Sequence, residues 1–288
     1  MEIRNTAVKM RPLSANTGME ILGVDLRDPL NDAAYAEIRT ALVETGVIIF
    51  RGQQLEPAHH LAFAQRFGPV PDAEFLETVP GFPQIGLIQK AEHETRNVGG
   101  NWHSDHSFDP APPLGSVLYA HELPPSGGDT MFANMTTAFD DLSDGLKDFL
   151  RGLSVIHSKA NAAKADPRAD RQPDAELKQR FAELAHRETS HPCVRPHPET
   201  GREILWINQN YTSRFDGWTE EESRPLLDQL IGHATRPENI CRISWEPGML
   251  AFWDNRTALH YALNDYHGMK RVMRRCVVSG DPVERGAP

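Results

Sequence analysis

His103-Ser104-Asp105, followed far downstream by His260 and Arg271, are the residues whose types and spacing could do chemistry in this chain. Two imidazoles and one carboxylate form the ligand set of a facial triad, which leaves neighbouring positions on a ferrous ion open for a co-substrate and oxygen. The guanidinium of Arg271, eleven residues past His260, could grip the far carboxylate of a keto acid on that metal through paired hydrogen bonds. In an extended segment residues i and i+2 share a face, so His103 and Asp105 can reach one ion from a single strand end. An HxD pair alone is a frequent accident. Context raises this one: Trp102 and Phe108 flank it with apolar bulk, and Gly99-Gly100 frees the backbone to turn.

The other histidines sort by surroundings. His59 and His60 sit on one helix and read as surface or packing residues. His157, His186, His191 and His197 lie in or beside a polar stretch, where solvation is the default, and His93, His233 and His267 fall in loops or at helix ends. His121 stays undecided, as does His106 beside the pair. His260 stands out because it follows Phe252-Trp253-Asp254-Asn255-Arg256, an aromatic strand end turning into a polar loop.

Elements must bring these residues together. Ala33 to Glu44 predicts a helix stopped by Gly46, and Pro57 to Phe67 a second with proline in its first turn. Asn134 predicts the start of a helix reaching about Leu150, and Thr219-Glu220-Glu221-Glu222 a capping box opening one to about His233. Strands are expected at 47–50, 85–88, 116–121, 204–207, 240–245, 249–253 and 272–278. Ser158 to Ser190 is polar and broken by Pro167 and Pro173, and reads as an insertion, a lid, over the scaffold; 175–186 within it could be helical. No βαβ rhythm, repeat, GxGxxG or P-loop is present. The fold expected is mostly β with peripheral helices, a sandwich or jelly roll in one domain over 1–288.

Composition narrows the class. The chain has 288 residues, 39% hydrophobic and 24% charged, with net charge −10 and no Lys/Arg-rich run. Nucleic acid and anionic membranes are therefore poor partners, although a local basic pocket for a small anion is allowed. Three widely spaced cysteines without a CxxC pair argue against a disulfide framework and a thiolate zinc site, and suit a reducing cytoplasm. No apolar leader segment and no membrane-length apolar run is seen. A homo-oligomer is allowed but not specified.

Asn101-Trp102-His103-Ser104-Asp105, Gly127-Gly128-Asp129-Thr130, Phe252-Trp253-Asp254-Asn255-Arg256 and His260-Tyr261-Ala262 together closely resemble the taurine dioxygenase/2,4-dichlorophenoxyacetate dioxygenase family. The resemblance runs from about Gly23 to Val278. It implies a double-stranded β-helix (cupin-like jelly roll), iron ligation by His103, Asp105 and His260, and binding of the 2-oxoglutarate C5 carboxylate by Thr130 and Arg271. Arg275 matches a second arginine that lies near the substrate's acidic group in several members. The implied activity uses Fe(II), 2-oxoglutarate and O2, yields succinate and CO2, and hydroxylates a C–H bond. Asp105 favours hydroxylation, since halogenating relatives lack that carboxylate.

Residue chemistry supports these roles separately. Arg271 and Arg275 face one side of a predicted strand, with Lys270 and Arg274 toward solvent; alternating charge at a strand edge is the plainer reading of the same pattern. Trp102, Trp206, Trp245 and Trp253 read as core, and Cys276 as a small buried hydrophobe. Taurine-specific members carry a histidine and a tyrosine soon after Arg-Phe-Gly. Here Arg66-Phe67-Gly68 is followed by neither, and Gly99 replaces an amide side chain. The expected pocket is less polar, around Phe75 and Leu76, for a small organic acid such as an aryloxyalkanoate or an alkyl sulfonate or sulfate, with net cleavage where oxidation falls beside a heteroatom. A zinc hydrolase on the same ligands and a noncatalytic 2-oxoglutarate-binding barrel are the alternatives.

Overall fold

The computed structural model describes residues 8–74, 76–160 and 187–283. In chain order its strands begin with β1 (Lys9–Pro12), β2 (Met19–Leu22), β3 (Val47–Phe50), β4 (Thr78–Val79), β5 (Phe82–Lys90) and β6 (Gly115–Glu122). There follow β7 (Thr130–Asn134), β8 (Ser154–Ser158), β9 (Glu188–Pro192), β10 (Val194–Pro196) and β11 (Glu203–Leu205). The last are β12 (Thr212–Phe215), β13 (Ile240–Ile243), β14 (Leu250–Asp254), β15 (Ala258–Ala262) and β16 (Arg271–Val278). The helices are α1 (Asp32–Thr45), α2 (Pro57–Gln65), α3 (Met135–Asp140), α4 (Asp144–Arg151) and α5 (Glu220–Ala234).

An eight-stranded sheet has the order β1-β2-β3-β14-β6-β16-β5-β4, and β2 runs parallel to β3 within it. A three-stranded sheet, β13-β7-β15, packs on one face. Strand alternation explains the layering. Val47 and Ile49 of β3 enter the layer between the sheets, where they meet Phe132, Ile243 and Ala258. Ile48 and Phe50 point the other way, where α1 and α2 cover the sheet with Ile38, Leu42 and Phe63. Behind the smaller sheet, α3 and α5 contribute Phe139, Leu227 and Leu230. This is the mostly-β jelly roll with peripheral helices that the sequence predicts.

Local signals account for most helix ends. Asn31 caps α1 by accepting from the Ala34 N–H, and Gly46 ends it at φ 77. Thr219 and Glu222 form the expected capping box at α5. The single helix expected from Asn134 to about Leu150 is instead two. Asn134 does cap α3, but the chain leaves it at Asp141 and Ser143 adopts an extended N-cap conformation before α4. Asp and Ser there compete for backbone groups as caps rather than continuing the helix.

β7 and β15 are not expected from the sequence. Both are short, and the burial of β7 reaches both faces, so neither shows a clean two-residue period. The proposed insertion is narrower than 158–190, because Ser158 pairs with Glu188 as the rungs of β8 and β9. Residues 161–186 of it, with His186 and the helix expected at 175–186, lie outside the described residues. Among the described residues no helix is long and apolar enough to cross a membrane.

Candidate metal centre and its cavity

His103 lies in the connection from β5 to β6, and a backbone bridge joins it to His260 on β15. The His103 N–H donates to the His260 carbonyl at 3.1 Å, and the His260 N–H donates back at 2.8 Å. That pairing brings the two ring centroids to 4.0 Å. Asp105 Oδ1 then lies 3.8 Å from His103 Nε2 and 3.8 Å from His260 Nε2. All three residues are buried.

Metal–ligand bonds of about 2.1 Å at right angles would set such donors roughly 3 Å apart. The trio could therefore hold a cation after a small inward movement. The His103 Nδ1 hydrogen-bonds the Asn101 carbonyl at 2.7 Å, which makes Nδ1 the protonated nitrogen and leaves the Nε2 lone pair free. Burial, the main cause, holds both imidazoles below their ordinary pKa. For Asp105 burial acts upward but is outweighed chiefly by the Arg275 guanidinium, which keeps the carboxylate ionised. Neutral imidazoles and a charged carboxylate are the donor set that Fe(II) takes.

The connection is tied down from β14. Ser104 Oγ donates to the Asn255 carbonyl at 2.6 Å, and Asn255 Oδ1 accepts from Trp253 Nε1 at 2.9 Å and from the Asp105 N–H at 3.3 Å. Buried Asp254 accepts from His197 Nε2 at 3.1 Å and from Arg256. No local sequence signal marks Asn255 or His197 for these contacts. His157, His191 and His197 were expected to be solvated and are instead buried, as is His60. Nothing local marks them, since their burial comes from strands distant in the chain.

A cavity of about 390 Å³ opens over the triad, and Leu76, Ile88, Leu118, Thr130, Arg271 and Arg275 are among its lining residues. Phe75 lies outside the described residues. Arg271 is buried at the start of β16, and its Nε and Nη2 have no hydrogen-bond partner among the described residues. Its guanidinium carbon lies 5.8 Å from the centre of the Trp245 ring. Gly128 (φ +73) backs it, and a Cβ there would fall 3.2 Å from Arg271 Cδ and Nε. Trp245 Nε1 donates to Thr130 Oγ1 at 3.0 Å, so the threonine proton is available to a guest. Buried donors without acceptors are costly, and an anion seated here would satisfy them. Arg275 shares this face, with Nη1 3.5 Å from Asp105 Oδ1 and Nε without a partner among the described residues. Lys270 points away to Glu122 at 2.8 Å, as expected, while Arg274 is half-buried. Gly99 (φ +87) leaves room for the triad, since a Cβ there would lie 3.1 Å from His103 Cε1.

Residues 9–277 match the family model described as taurine catabolism dioxygenase TauD, TfdA family. The chain belongs to this family. An alkylsulfatase of Acinetobacter baylyi is 35% identical over 95% of this chain and 86% of that protein. An alpha-ketoglutarate-dependent sulfate ester dioxygenase of Pseudomonas putida is 34% identical over 94% of this chain and 89% of its own. A taurine dioxygenase crystal structure from Burkholderia xenovorans superimposes with a TM-score of 0.80 at 35% identity, covering 96% of this chain and 92% of the other. As a TauD/TfdA member, the protein is an Fe(II)- and 2-oxoglutarate-dependent dioxygenase that uses O2. Membership favours this reading over the hydrolase and the noncatalytic barrel.

Proposed function

We propose that this dioxygenase oxidises the carbon beside the ester oxygen of a small alkyl sulfate. The carrying observation is a cavity that joins the triad to two arginines on one strand, Arg271 at a buried wall and Arg275 beside Asp105, with an apolar wall of Leu76, Ile88 and Leu118. Arg271 and Arg275, both on β16, suit two anions, the co-substrate and the substrate. Similarity to relatives named for alkyl sulfates and sulfate esters supports the sulfate group in particular.

In this reading His103, Asp105 and His260 hold Fe(II). Arg271 grips the 2-oxoglutarate C5 carboxylate through its fork, with the Thr130 hydroxyl as a further donor. Arg275 anchors the sulfate and thereby aims the adjacent carbon at the metal. Leu76 and its apolar neighbours Ile88 and Leu118 hold the alkyl chain and exclude water. The bound metal, 2-oxoglutarate and O2 supply the oxidation, with succinate and CO2 as co-products and one oxygen atom passing to the substrate carbon. R–CH2–O–SO3⁻ becomes R–CH(OH)–O–SO3⁻, whose C–O bond breaks to leave R–CHO and hydrogen sulfate.

The family match along nearly the whole chain supports one catalytic domain. Three unpaired, buried cysteines fit a reducing cytoplasm. The test is succinate formation with Fe(II), ascorbate and 2-oxoglutarate across alkyl sulfates, alkyl sulfonates and aryloxyalkanoates, with sulfate release followed in parallel. Equal succinate and sulfate from an alkyl sulfate is the expected result. Turnover confined to aryloxyalkanoates would overturn the sulfate assignment while keeping the oxygenase.

A further inference from the structure

Asp105 has two carboxylate oxygens, and they face different neighbours. Oδ1 lies 3.8 Å from each histidine Nε2, while Oδ2 accepts a 2.8 Å hydrogen bond from Ser116 Oγ. Ser116 is fully buried on β6, opposite Trp253 of β14 and Val277 of β16. Leu118 and Ala120 continue the same face of β6, so Ser116 is the polar position in an otherwise apolar row. Arg275 approaches Asp105 from the Oδ1 side. Among the described residues, the side-chain hydrogen bond to Oδ2 is the one from Ser116.

We propose that Ser116 is a positioning residue that fixes how Asp105 meets the metal. By holding Oδ2, its hydroxyl makes the carboxylate offer one oxygen. A carboxylate free to turn can bind a cation through both. Three protein donors leave three positions of an octahedral ion, the number that a keto acid gripping through two oxygens and O2 together require. A second oxygen from Asp105 would take one of them. Loss of the donor also leaves Oδ2 buried and unsatisfied, which favours that turn. The inference rests on the triad being the metal site.

The experiment compares the wild type with Ser116→Ala and Ser116→Cys. The cysteine variant keeps a similar volume but donates weakly. Metal-free protein is titrated anaerobically with Co(II) against a coloured chelator, and the visible band of the Fe(II)–2-oxoglutarate complex is recorded at matched saturation. Thermal unfolding runs beside both. Both variants are expected to bind Co(II) about 10- to 100-fold more weakly, the range for loss of a partner behind a metal ligand, and to show a weaker band. A loss of packing alone would lower Tm and leave metal affinity unchanged. A folded variant that binds Co(II) within about twofold of wild type, with an unaltered band, overturns the role of Ser116. Failure of the wild type itself to bind Co(II) would instead remove the triad reading, and this inference with it.

Discussion

Arg271 carries two buried donors without acceptors among the described residues, so its replacement should be felt by the co-substrate. Arg271→Gln should raise the KM for 2-oxoglutarate about 10- to 100-fold, since hydrogen bonds to charged groups contribute about 1.5–3 kcal/mol. Arg271→Lys should do nearly as badly, because one ammonium cannot reproduce the fork. Succinate formation at varied 2-oxoglutarate measures both. Trp245→Phe keeps the ring beside Arg271 but removes the N–H that occupies Thr130 Oγ1. Its 2-oxoglutarate KM should rise about 2- to 10-fold with kcat little changed, the size of one neutral hydrogen bond. An unchanged KM would count against Thr130 as a donor to the carboxylate. At this scale His103, Asp105, His260 and Arg271 stand out in the sequence once their types and spacing are joined by the family resemblance of the stretches around them. Trp245 and Ser116 do not, because their partners, Thr130 and Asp105, are met only in the folded chain.

Turns and strands decide whether those side chains meet. Gly128 and Gly201 both sit at left-handed φ, +73 and +70, but a Cβ at Gly128 would press on Arg271 and Tyr266 while Gly201 has nothing within 4 Å. Alanine at either should cost about 1–2 kcal/mol of backbone strain. Gly128→Ala should also raise the KM for 2-oxoglutarate, whereas Gly201→Ala should lower Tm alone; equal effects on KM would refute the packing argument. Helix ends were readable here because caps act within a few residues, as at Asn31 and Thr219. β7 and β15, which carry Thr130 and His260, were not. Their burial depends on the larger sheet closing over them, and that leaves little alternation in the chain itself.

For the whole molecule, buried histidines make stability depend on pH. Burial lowers His60 and His191 to about 4, so both stay neutral in the fold where the unfolded chain takes up protons. Between roughly pH 6.5 and pH 4 the unfolded state binds more protons, and stability falls as pH falls. Each such histidine contributes a slope of roughly 1.4 kcal/mol per pH unit in that window. Urea unfolding of metal-free protein should show this slope. His60→Gln, which keeps a donor toward the Val117 carbonyl, should remove about one proton from it. A slope unchanged by that substitution would place the coupling elsewhere.

The chain by itself determined the chemistry on offer: which side chains could ligate a cation, which cation could grip a carboxylate, and where most of the helices begin and end. These depend on functional groups and on contacts between residues near in sequence. Only the tertiary structure decided that His103 pairs with His260 through the backbone, that Asn255 and Ser116 steady Asp105, and that histidines from a polar stretch lie in the interior. Such contacts join residues far apart along the chain, and sheet pairing selects them only when the whole fold closes.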